Sequence, residues 1–122
     1  AVSLDGISWT RFPSPVLDPQ VLEAITFGPC VLHAGLTYRL WCVALHEAPG
    51  GTAFPGVIDF AQSNDGSEWT RNRLALSYGE AGAWDGGALR AVCVLDEGDT
   101  LMMWYEGRSA AGVRAIGLAF QP

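Results

Sequence analysis

Most of this chain consists of short runs in which apolar and polar positions alternate, separated by Gly-rich turns. Alternation with a period of two is the mark of strands with one buried face, and aromatic and β-branched residues fill these runs. Trp9 to Val16 predicts a short strand that ends at Pro13 and Pro15. A long connection follows at residues 17–27, where only Pro19 to Thr26 (PQVLEAIT) fits a turn or two of helix. Gly28 to Leu32 and Thr37 to Leu45 predict two strands about the turn His33-Ala34-Gly35. Beyond a loop at 46–55, Gly56 to Gln62 predicts a third strand. Asn64-Asp65-Gly66 then makes a hairpin turn and Glu68 to Leu76 a fourth strand. The order restarts with a connection at 77–87 and strands at Leu89 to Leu95, Thr100 to Glu106 and Val113 to Phe120.

The restart is also visible residue by residue. AVSLDGISWTR (1–11) and AQSNDGSEWTR (61–71) agree at seven of eleven positions, at an offset of 60. CVLHAGLTYRLW (Cys30 to Trp41) aligns with CVLDEGDTLMMW (Cys93 to Trp104), and Ile58, Phe60 and Ala61 align with Ile116, Leu118 and Ala119. A repeat of about 60 residues holding four antiparallel strands is the unit of a β-propeller blade. The chain therefore reads as an all-β single unit, 1–122, of two blades (repeats at about 1–60 and 61–122) permuted by one strand. It starts at the end of a third strand, and the second blade lacks its outermost strand. Two blades cannot close a ring, so homo-oligomerisation is expected. Three copies giving six blades is the favoured arrangement, with the 9–16 strand completing the last blade of the adjacent copy.

Composition narrows the function. Apolar residues make up 49% and charged residues 16% of the 122, enough for a core and unlike a disordered chain. A net charge of −6, with seven scattered basic residues, argues against nucleic acid as a partner. No apolar run approaches the roughly 18 residues of a membrane span, and no signal peptide pattern is present, so no membrane partner is expected. Three cysteines cannot all pair. They read as buried thiols, with an intersubunit disulfide or a reactive thiol as alternatives, and they favour a soluble, cytoplasmic setting. No His/Cys cluster has metal-ligand spacing, so no metal and no cofactor are expected.

The motif S-x-D-G-x-x-W, at Ser3 to Trp9 and again at Ser63 to Trp69, resembles the Asp-box turn of sialidase-type propellers shortened by one residue. Together with GDTLMMWYEG and AIGLA it is similar to the repeats of the five-bladed glycoside hydrolases, which include arabinanases, fructosidases, levansucrases and mannoside phosphorylases. The resemblance covers nearly the whole chain as repeat grammar rather than as a catalytic signature. It implies a substrate face at the axis, formed by the loops before the inner strands and between second and third strands, with carboxylates near the inner-strand starts. Asp5 and Asp65 then fall on the opposite face and serve their turns.

On the implied substrate face the candidate catalytic carboxylates are Asp85, Glu106 and Glu23. The candidate ligand-binding residues are Trp84, Arg90, Tyr78, Arg108, His46 and Glu47. A glycosidase needs one acid to protonate the leaving oxygen and one base or nucleophile opposite it. Asp85, just ahead of Gly86-Gly87-Ala88-Leu89, stands nearest to the family's inner-strand acids, yet it is followed by Gly86 and not by the proline of that family's Asp-Pro pair. His46-Glu47-Ala48-Pro49 follows a second strand rather than leading into an inner one, so the family's acid role does not pass to Glu47. Glu106 and Arg108 also fit a simple ion pair across a loop, and Asp85 a loop cap. Trp84 fits either a sugar platform, a flat ring under the apolar face of a pyranose, or a wedge between blades. The expected function is thus an oligomeric propeller that binds carbohydrate as a lectin does, or a propeller scaffold with no ligand. A glycoside hydrolase or phosphorylase-like activity is the alternative.

Overall fold

The computed structural model describes residues 1–18, 23–46 and 55–121, the side chains of 23–25, 46, 72 and 73 excepted. Seven strands make up its regular structure: β1 (Glu23–Ala34), β2 (Thr37–His46), β3 (Gly56–Ser63), β4 (Thr70–Leu76), β5 (Ala88–Asp96), β6 (Leu101–Arg108) and β7 (Arg114–Gln121). They form two antiparallel sheets, β1-β2-β3-β4 and β5-β6-β7, each a simple meander. The chain is all-β, as the alternation requires.

Two expectations change. Residues 23–26, placed in a helical turn from sequence, belong to β1, while 19–22 lie outside the described residues. The β-branched pair Ile25 and Thr26 registers with Leu45 and Ala44 of β2, and that ladder overrides a weak local pattern. Residues 9–16 form no strand here. Their one ladder contact is the bridge Val2↔Thr10, and all eight residues are exposed.

The two sheets pack face to face around Trp41, Ile58, Leu89 and Val94. Leu32, Phe60, Leu76, Met103 and Tyr105 border this core. Alternation puts Leu40, Cys42 and Ala61 on the other face of the first sheet, under Leu17 and Trp69. The far face of the second sheet is uncovered: Leu95, Ile116, Leu118 and Phe120 are 46–71% exposed. This explains a correction among the thiols. Cys42 is buried and Cys30 half-buried, but Cys93 is exposed, because its row Cys93–Trp104–Leu118 lies on that uncovered face. The corresponding row of the first sheet, Cys30–Trp41–Phe60, lies in the packed core.

The two S-x-D-G-x-x-W turns are built alike. In the second, Asp65 Oδ1 accepts from the amides of Ser67 and Glu68 at 2.8 Å each. Ser63 Oγ accepts from the Gly66 amide at 2.8 Å, and Trp69 Nε1 donates to the Gly66 carbonyl at 3.0 Å. Gly66 holds φ at +78°, a region that L side chains rarely adopt. The first turn repeats each bond within 0.1 Å, through Asp5, Ser3, Gly6 and Trp9. Amide donors stabilise the charged carboxylate, led by Glu68 for Asp65, and lower its pKa from 3.8 to about 2. A depressed pKa contributes stability above pH 3.8 that is lost as pH falls toward 2. A carboxyl titration by NMR is expected to give Asp65 a midpoint near 2, with Asp5 lower still. An Asp65 midpoint at 3.8 would refute this account of the turn.

Candidate functional site

The connection 77–87 folds back over the start of β5 and gathers the site. Gly79 N donates to the Asp85 carbonyl, Ala83 N to that of Glu80, and Gly87 N to that of Arg108 at 2.7 Å. These bonds make the loop a compact unit anchored to the end of β6. Glycines set its closeness to the sheet. A Cβ at Gly107 or Gly117 would overlap the Trp84 ring, so these two neighbouring strands present a flat backbone floor to the indole.

On that floor Trp84 stacks against Tyr105, with ring centroids 5.7 Å apart and planes 27° from parallel. Trp84 remains 44% exposed, so one side lies on protein and the rest is presented outward. Tyr105 Oη donates to Asp85 Oδ2 at 2.9 Å. Burial, followed by this bond to a carboxylate, raises the Tyr105 pKa, keeping the phenol protonated and donating through the neutral range. Asp85 is thereby oriented, with one carboxylate oxygen held by the phenol beside a half-open aromatic ring.

The other described candidates fall in five places. Tyr78 is 39% exposed at the start of the same loop. Arg90 is half-buried in β5, with no ion pair to Asp85 or Glu106 among the described residues. Glu106 alternates with Tyr105 and so points to the sheet's far face, where it pairs with Arg114 at 3.4 Å rather than with Arg108. Arg108 closes β6, and its guanidinium folds over the turn at Gly112. Glu23 and His46 register opposite one another at the matching end of the first sheet. Glu47 lies outside the described residues. The structure thus joins Trp84 and Asp85, sets Glu106 on another face, and adds Tyr105. Sequence reasoning misses Tyr105, although the spacing Leu101, Met103, Tyr105 places it on the core-facing side of its strand.

No family model matches the chain. Two uncharacterized proteins of Mycobacterium tuberculosis match it at 31% and 33% identity over 104 residues, which is 84% of this chain and 33% of each relative. The chain spans about a third of the length of the curated relatives it matches. Among solved structures, a glycoside hydrolase superposes with a TM-score of 0.75 at 21% identity, over 99% of this chain and 34% of that one. A BT0996 RGII complex gives 0.76 at 20% identity, over 99% and 34%. A glycosyl hydrolase from Bacteroides ovatus gives 0.63 at 17% identity, over 79% and 28%. At these identities the likeness establishes the fold, an antiparallel all-β architecture shared with glycoside hydrolases.

Proposed function

We propose that this chain supplies a carbohydrate-binding surface of the lectin type, on a framework of propeller blades. The observation that carries the reading is the Trp84 indole, seated on a glycine floor and on Tyr105, with its outer part open beside the oriented carboxylate of Asp85. An aromatic face matches the apolar C–H face of a pyranose, and a fixed carboxylate oxygen accepts from sugar hydroxyls. Likeness of fold to glycoside hydrolases supports carbohydrate as the ligand class. Hydrolysis or phosphorolysis is the second reading, with Asp85 as its carboxylate. It calls for two carboxylates flanking one bond, and the described geometry brings one to the ring stack while Glu106 points away.

A glycan array on the protein is expected to show binding. Trp84→Ala should weaken the best ligand by about tenfold or more, near 1.4 kcal/mol, with the far-UV spectrum unchanged. Silence on the array, or full binding by Trp84→Ala, would remove the reading. Turnover of aryl-glycosides that disappears in Asp85→Asn would favour the enzyme instead.

A further inference from the structure

Cys30 and Cys93 occupy equivalent places in the two repeats, each opening a Cys-Val-Leu run. Their strands, β1 and β5, stand first in their sheets, so each pairs along one edge only among the described residues. The two strands pack beside each other where the sheets meet.

Cys30 reaches the edge of β5 that β6 does not use. Its Sγ accepts from the Val94 amide at 3.1 Å, and its thiol donates to the Val94 carbonyl at 3.7 Å. Val94 registers with Met103, and both of its backbone groups turn away from that partner, as in the pairs of an antiparallel ladder that exchange no bonds. Val94 directly follows Cys93, so the Cys30 sulfur sits beside the peptide unit that joins the two.

The two thiols also act on each other. Burial is the main cause that pushes the Cys30 thiol up, and the Val94 amide works against it. The charge of Cys93 and a side-chain hydrogen bond with Cys93 add to the rise. The pair is asymmetric: Cys30 is half-buried against the inter-sheet core, and Cys93 is exposed. The third thiol, Cys42, is buried on the opposite face of the first sheet beside Leu40 and Ala61, so the sheet separates it from Cys30.

We propose that Cys30 and Cys93 are a reversible redox pair, oxidised by a small-molecule disulfide to an intrachain disulfide that staples β1 to β5. Exchange begins at Cys93, the thiol that solvent reaches. Its thiolate attacks one sulfur of the small disulfide. The bond between the two small-molecule sulfurs breaks, and one half leaves as a thiolate and takes up a proton. Cys30 stays protonated, and so at rest, until this mixed disulfide lies beside it. It then gives its proton to solvent, attacks the Cys93 sulfur and expels the second half, which is protonated in turn. Two protein thiols are oxidised and one disulfide is reduced to two thiols. The bridge adds a covalent tie between sheets that otherwise meet through Trp41, Ile58, Leu89 and Val94. It includes no residue of the Trp84 stack, so the outcome here is independent of glycan binding.

The reduced chain, incubated under native conditions with excess glutathione disulfide, tests the pair. Free thiols should fall from three to one. Intact mass should show the loss of two hydrogen atoms and no bound glutathione. A peptide map without reduction should join 30 to 93 within one chain and leave Cys42 as the alkylated thiol. Dithiothreitol should restore all three thiols. Cys30→Ala should stop at a glutathione adduct on Cys93. Cys93→Ser, a change at an exposed side chain, should leave Cys30 reduced under the same conditions. A wild-type chain that keeps three thiols, stops at a Cys93 adduct, pairs either residue with Cys42, or links 30 to 93 only between chains would overturn the proposal.

Discussion

Gly56→Ala is expected to unfold the protein or to cost at least about 3 kcal/mol in a urea titration, more than a methyl group normally does. Gly56 opens β3 against the backbone of β5. A Cβ there would collide with the carbonyl oxygen of Leu89, and it would lie 3.2 Å from Cδ2 of Leu45. The Leu45 side chain can rotate aside. The Leu89 carbonyl belongs to the backbone of β5, and Leu89 is itself fully buried in the inter-sheet core. Moving it means parting the sheets around Ile58 and Leu89, both with no exposed surface. The double variant Gly56→Ala/Leu45→Ala should therefore show no rescue. Recovery of stability in the double variant would mean that the side chain, not the backbone, sets the spacing of the sheets.

Gly56 also marks the boundary of what the sequence discloses. Apolar runs bounded by Gly-rich turns marked every strand of the two sheets, including β2 and β3, which are buried on both faces. The turn between β3 and β4 was legible too, since Asp65 takes the turn amides and Gly66 the positive φ. The strand expected at 9–16 from its likeness to β4 does not form: its one ladder contact is the bridge Val2↔Thr10, and without a longer ladder the segment stays exposed. Which face of a sheet is covered was not legible either. Cys30 and Cys93 each open a Cys-Val-Leu run, yet Cys30 is half-buried and Cys93 exposed, since only the first has a neighbouring sheet over it. At the candidate site, the sequence singled out Trp84 and Asp85 as loop residues. It did not reveal the glycine floor or Tyr105, because Gly107 and Gly117 belong to different strands and meet only through the β6–β7 pairing.

A buried ion pair found in the first sheet leads to the last expected result. Arg71 reaches across the first sheet: Nη1 pairs with Asp59 Oδ2 at 3.3 Å, and Nη2 donates to Thr26 Oγ1 at 2.9 Å and to the Asp18 carbonyl at 3.2 Å. One guanidinium thus ties the β3 and β4 pair to β1 and to the segment ahead of it, a planar multi-donor task that Lys does not match. Both side chains of the ion pair are little exposed, at 10% and 12%. In the second repeat the position of Asp59 is Gly117, beneath Trp84, so this tie is particular to the first sheet. Removing a buried cation takes a charge partner from Asp59, and Arg71→Met should cost about 3 kcal/mol at neutral pH. The attraction lost is greatest where the carboxylate is ionised, so the deficit should shrink as the pH falls from 7 toward 4. Adding Asp59→Asn to Arg71→Met should recover part of the loss and flatten this pH dependence. Guanidinium unfolding of the wild-type protein and the two variants at pH 4 and pH 7 measures both effects. A deficit of equal size at the two pH values would assign the role of Arg71 to its packing and its bonds to Thr26 and Asp18, not to the charge it sets against Asp59.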